Sequence, residues 1–128
     1  MPDYTVKRID DMAATFGGAF KLARAELGVT SFGMQVLDLP PDLTEGYPEH
    51  DHAETGQEEV YIALGGSGRM TIAGEDIDLD PGVAVRVGPE EKRKLVSGPD
   101  GLRLLALGGV PGSAYEINPS TELSAASQ

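Results

Sequence analysis

The chain has 128 residues, of which 40% are hydrophobic and 5% aromatic, enough for one domain with a real core. Ten Lys and Arg residues against 21 Asp and Glu residues give a net charge of −11, which argues against nucleic-acid or anionic-membrane partners. The chain contains no cysteine, which excludes disulfides, thiolate catalysis, cysteine-type zinc sites and iron–sulfur clusters.

The cellular location is expected from what the sequence lacks. No apolar run approaches the ~18 residues of a membrane helix. The start, from Met1 to Tyr4, has no basic segment followed by an apolar one, so no secretory signal is expected. We therefore predict a cytoplasmic protein, although a chain without cysteine also suits an oxidising compartment.

Glycine and proline divide the chain into short apolar runs. There are 17 Gly and 9 Pro, a pattern that favours an all-β sandwich or barrel. Near the N-terminus, residues 10–14 predict one or two helical turns that end at Gly17 and Gly18. Residues 20–27 have helical spacing but also suit an extended entry segment.

Seven strands follow in the sequence pattern. The predicted strands are 31–39, 58–64, 69–73, 77–79, 83–87, 94–96 and 102–107. The glycine-rich run 65–68 is interpreted as a hairpin turn, since no helix follows it to form a phosphate-binding loop. Residues 1–112 are predicted to form one domain, and 113–128 a polar, loosely held tail.

The predicted strand 58–64 has two different faces. Alternation puts Glu59, Tyr61 and Ala63 on one face, and Val60, Ile62 and Leu64 on the other. The second face is wholly apolar, so we expect an N-terminal strand or a second subunit to cover it, and we predict a homodimer.

The two histidines form one pair. His50 and His52 are two residues apart, so on an extended segment both imidazoles point into the same space. Glu59 is expected on the neighbouring strand in a hairpin-like arrangement. Two imidazoles and a carboxylate commonly hold a divalent transition metal with open coordination positions. The alternative interpretation is two polar histidines at a loop edge.

These residues resemble the first motif of the cupins. Gly46, the His50/His52 pair, Glu59 and Gly66 follow that family's order, although the gap from His52 to Glu59 is longer than usual. Gly74, Pro81-Gly82 and Pro89 resemble part of the second motif, and the resemblance spans roughly residues 31–110. It implies an all-β fold, a small jelly-roll β-barrel (a cupin-like double-stranded β-helix) with a short N-terminal extension.

One position departs from the family pattern. Where the resemblance predicts a further metal-ligating histidine, this chain has Arg93. Arginine stays protonated and offers no lone pair to a metal. The resemblance therefore implies His50, His52 and Glu59 as metal ligands, with weaker affinity because of the nearby cation. In the opposite interpretation, Arg93 pairs with Glu59 and takes the place of the metal.

The sequence thus predicts a barrel that binds a small organic molecule and a divalent metal (Zn, Fe, Mn, Ni or Co). Arg93, Tyr61 and Gln57 are the predicted ligand contacts, with Arg93 clamping a carboxylate or phosphate. If the protein is an enzyme, the resemblance suggests a metal-dependent oxygenase, isomerase or lyase, because the family hosts many reactions. The alternative is a metal-free small-molecule binding module in which Arg93 replaces the missing histidine.

Overall fold

The computed structural model describes residues 2–45 and 47–126. Its seven strands are β1 (Ala14–Thr15), β2 (Phe20–Lys21), β3 (Gly33–Leu39), β4 (Glu58–Ile72), β5 (Glu75–Asp78), β6 (Ala84–Val87) and β7 (Arg93–Gly109). One short helix, α1 (Ala23–Leu27), lies between β2 and β3. Among these residues no helix is long and apolar enough to cross a membrane.

All seven strands belong to one antiparallel sheet. The order is β1-β2-β3-β7-β4-β5, and β6 also pairs with β4, at residues 59–62, whereas β5 pairs with residues 69–72. The strands curve around a core of inward-facing apolar residues that includes Leu37, Met70, Leu95 and Leu104, all at most 2% exposed. The fold is an all-β jelly-roll barrel, as the sequence predicted.

Two strands are much longer than the sequence pattern indicated. The prediction of a hairpin turn at 65–68 was wrong, because β4 continues through these glycines and stays paired with β7 on both sides of them. Likewise the predicted strands 94–96 and 102–107 are parts of the single strand β7.

Glycine explains this continuity. Bulges interrupt the β4–β7 register between Ala63 and Gly65 and between Gly66 and Gly68. Gly66 has a φ of 80°, and a Cβ there would collide with the carbonyl oxygen of Gly101 on β7. The glycines therefore let two strands bend and cross closely instead of ending.

The N-terminal segment covers one outer part of the sheet. The predicted helix at 10–14 is reduced to the 3₁₀ turn Ile9–Asp11, and residues 20–27 form both β2 and α1, so each interpretation of that run holds in part. Met12 and Ala23 pack with Val36 on the outer face of β3 in a second small core. The outward apolar side chains of β4 form a strip in which Val60 and Ile62 are partly buried and Leu64 is 42% exposed.

Candidate metal and ligand site

A cavity of about 780 Å³ opens into the barrel. Its polar end is formed by His50, His52, Gln57, Glu59 and Tyr61. The rest of its wall is largely apolar and includes Phe20, Leu37, Leu39, Leu43 and Tyr47. An apolar cavity with a few converging polar groups is the usual form of a small-molecule site.

The two histidines come from the loop before β4. The backbone of His50 pairs with Arg93 at the start of β7, with N–O distances of 3.0 and 2.9 Å, and the His52 N–H donates to the Pro89 carbonyl. The imidazole centroids are 5.1 Å apart. Both rings therefore reach one space, as the spacing predicted.

Their relation to Glu59 differs from the prediction. The backbone neighbours of Glu59 are Val87 on β6 and Gly108 on β7, so the histidine segment and β4 are not adjacent strands of a hairpin. The histidines meet the carboxylate across the barrel interior instead. Candidate ligand atoms of His50, His52 and Glu59 nevertheless lie within 4.8 Å of one another.

The Glu59 carboxylate accepts hydrogen bonds from several side chains. The Tyr61 hydroxyl donates to its Oε1 at 2.6 Å and Arg93 Nη1 at 3.1 Å, while Gln57 Nε2 lies 3.4 Å from Oε2. Burial alone would raise the pKa of Glu59, but His52, Tyr61 and Arg93 outweigh it and hold the pKa below its ordinary value. The carboxylate is therefore ionised at neutral pH and available as a ligand.

Arg93 lies behind this carboxylate and does not line the cavity. Its side chain is fully buried. Nη1 donates a hydrogen bond to Glu59 Oε1, and Nη2 donates to the Gly88 carbonyl at 3.0 Å. The predicted ion pair with Glu59 is present. The predicted clamp on a ligand stays a prediction, since Arg93 is not among the residues that line the cavity.

The side chains present suit a metal. His52 Nε2 is buried and makes no aligned hydrogen bond within residues 2–45 and 47–126, although Glu59 Oε1 is 3.0 Å away. His50 Nδ1 lies 3.1 Å from the Pro48 carbonyl oxygen. Since a carbonyl only accepts, Nδ1 is the protonated nitrogen of the neutral imidazole, which leaves Nε2 of His50 with the lone pair that a metal needs. Nitrogen and oxygen donors of this kind fit Zn, Fe, Mn, Ni or Co.

Two cavity residues were not singled out from the sequence. Tyr47 packs between Phe20 and His50, with ring centroids 6.2 and 5.5 Å away, and burial raises the pKa of its hydroxyl to about 12. Its position inside the first cupin-like motif was the available signal. Arg24 is buried on α1 at the cavity wall, and no sequence pattern marked it.

Tyr61 and Gln57, predicted as ligand contacts, both line the cavity beside Glu59. Their contact with a ligand stays a prediction. Gly46 of the first motif lies outside the described residues.

Comparison with solved structures supports the fold. A cupin protein from Bacteroides fragilis has 25% sequence identity, a TM-score of 0.70, and covers 92% of this chain and 93% of its own. The DMSP lyase DddQ from Ruegeria pomeroyi has 22% identity and a TM-score of 0.55, over 73% of this chain and 45% of its own. A predicted oxalate decarboxylase from Thermotoga maritima has 22% identity and a TM-score of 0.51, over 62% of this chain and 68% of its own.

No protein-family model matches the chain, and no curated protein matches it significantly. The family of this chain is therefore assigned from three observations. These are the barrel topology, the position of the His50, His52 and Glu59 group, and the similarity to solved structures. Together they place the chain in the cupin superfamily.

Proposed function

We propose that this protein binds a small organic molecule inside its barrel, together with a divalent transition metal held by His50, His52 and Glu59. The observation that carries the proposal is the convergence of one ligand atom each from His50, His52 and the ionised Glu59, all within 4.8 Å of one another. Two imidazoles and a carboxylate are a common ligand set for a divalent transition metal. When bound, the metal would supply a Lewis acid that polarises an oxygen atom of the ligand.

The chain's own residues define the rest of the site. Tyr61 and Gln57 orient the Glu59 carboxylate through their contacts with its two oxygens. Tyr47 and Phe20 supply a stacked aromatic wall for the apolar part of a ligand. Arg93 compensates the negative charge of Glu59, which lowers the attraction for a metal cation.

A second candidate function follows from that ion pair. The fully buried guanidinium on Glu59 favours a metal-free binding module, in which Arg93 supplies the positive charge that a metal would otherwise bring. No reaction is assigned under either proposal. The lyase and the predicted decarboxylase share the fold with this chain at 22% identity, and a fold alone does not select a chemistry.

The assembly and the location stay predictions. The apolar strip of Val60, Ile62 and the exposed Leu64 on the outer face of β4 supports the predicted homodimer. The cytoplasmic location has the support of the sequence alone.

Metal titration tests the main proposal. Untagged protein, stripped with a chelator, is titrated with Zn²⁺ and Co²⁺ by calorimetry, and we expect one site per chain. The double variant His50→Ala with His52→Ala should lose it, while Asp51→Asn, between the two histidines, should keep it. Wild-type protein that binds neither metal, or a double variant that binds as well as wild type, would refute the proposal.

A further inference from the structure

A second charged group lies at the cavity wall, away from the histidines in sequence. Arg24 on α1 is only 3% exposed and lines the same cavity. Its Nη1 donates to the Val29 carbonyl at 2.8 Å, and its Nη2 contacts Glu122 Oε1 at 3.0 Å and the Thr121 carbonyl at 3.5 Å. Its Nε is buried and has no hydrogen-bond partner in the described part of the chain.

Glu122 belongs to the segment that follows β7. That segment contains two short 3₁₀ turns, Pro119–Thr121 and Leu123–Ala125, and it forms part of the cavity wall. The Glu122 side chain is 46% exposed although its partner is almost completely buried. Moving this carboxylate into water therefore costs little, whereas Arg24 needs a negative partner wherever Glu122 goes.

We propose that Arg24 is an anion-binding group of the cavity, which takes the carboxylate of a small organic acid in exchange for Glu122. The inference rests on the proposed function, because it requires the cavity to admit a ligand. A guanidinium presents a planar fork of donors that matches a carboxylate, and the unpartnered Nε belongs to that fork. The apolar wall around Leu37, Leu39 and Leu43 would contact the organic part of the acid.

In this account Glu122 acts as an internal competitor. Glu122 does not line the cavity itself, but its carboxylate holds the Arg24 guanidinium that a ligand's carboxylate would bind. Removing the charge of Glu122 should therefore tighten binding of acids and not of neutral analogues. The matched control is Glu116, an exposed acidic residue of the same segment.

The experiment compares three acids with their amides. Benzoate, 3-phenylpropionate and hexanoate, each with its amide, are titrated into wild-type protein, Glu122→Gln, Glu116→Gln and the double variant Arg24→Gln with Glu122→Gln. We expect Glu122→Gln to bind at least one acid about tenfold more tightly than wild type does. Glu116→Gln should match wild type, and the double variant should lose the preference for acid over amide.

Equal affinity of Glu122→Gln for acid and amide, or no binding of any acid to it, would overturn the proposal. If the double variant does not fold, the comparison of acid and amide affinities between Glu122→Gln and Glu116→Gln still tests the proposal. A metal titration on the same samples separates the two proposals. If Glu122→Gln shows no preference for acid over amide but still binds metal, only the role of Arg24 is refuted. If it prefers acids but binds no metal, only the metal at the histidine end is refuted.

Discussion

Arg93 and Glu59 form a buried ion pair, with 3.1 Å between Nη1 and Oε1, at the position where the cupin pattern would provide a metal-ligating histidine. Together with His52 and Tyr61, Arg93 holds the pKa of this carboxyl below its ordinary value. It also puts a fixed positive charge next to any metal bound there. The strength of metal binding therefore depends on how these two charges balance.

The pair should matter for stability. Glu59→Gln leaves the Arg93 guanidinium buried without a negative partner, which we expect to cost about 3 kcal/mol of unfolding free energy. The neighbouring Glu58 pairs with the exposed Arg86, so Glu58→Gln should cost less than about 1 kcal/mol. Urea denaturation of both variants measures the difference, and equal losses would contradict the buried pair.

Restoring the family residue should strengthen metal binding. Arg93→His removes a repelling charge and adds a donor, so we expect Zn²⁺ affinity to rise by about 10- to 100-fold. Lys92→His is the control, because Lys92 is exposed one residue away. Calorimetric titration of both variants gives the answer. An unchanged affinity in Arg93→His would mean that residue 93 does not influence the metal position.

Gly66 should tolerate no side chain. Its φ of 80° disfavours other residues, and a Cβ would collide with the Gly101 backbone. We expect Gly66→Ala to lose more than about 2 kcal/mol of stability. Gly65→Ala has open space for its Cβ and serves as the control. If thermal denaturation shows the same loss for both, the close crossing of β4 and β7 is wrong.

Acid should weaken one attachment of the N-terminal segment. A hydrogen bond from Arg103, 2.6 Å from Asp10, lowers the pKa of that carboxyl below 3.8. Because the folded pKa is the lower one, this stabilisation is present above the ordinary pKa and is lost as the pH falls through the folded value. Asp10→Asn should therefore be less stable than Asp11→Asn at pH 6, with the gap narrowing as the solution is made more acidic. A gap that persists in acid would argue against this linkage.

Local patterns predicted the barrel and the grouping of its polar residues. The alternation in 58–64 correctly separated the inward side chains of Glu59 and Tyr61 from the outward Val60 and Ile62. The same patterns failed at residues 65–68, since glycine marks both a turn and a bulge in a continuing strand. Only the crossing with Gly101 on β7 distinguishes these cases, and that contact is long-range.

The sequence predicted those parts of the site that depend on local spacing and missed those that depend on long-range contacts. The spacing of His50 and His52 fixes where their side chains point, so their meeting is visible in the sequence. The role of Arg24 depends on Glu122, which is nearly a hundred residues further along the chain. No local pattern records such a contact.

The metal content of the purified protein tests the central claim most directly. The chain is expressed without an affinity tag, purified without chelators and analysed by mass spectrometry for Zn, Fe, Mn, Ni and Co, beside the His50→Ala, His52→Ala double variant. We predict a metal content near one ion per chain in the wild type and close to zero in the double variant. A metal-free wild type that also takes up no added metal would contradict it.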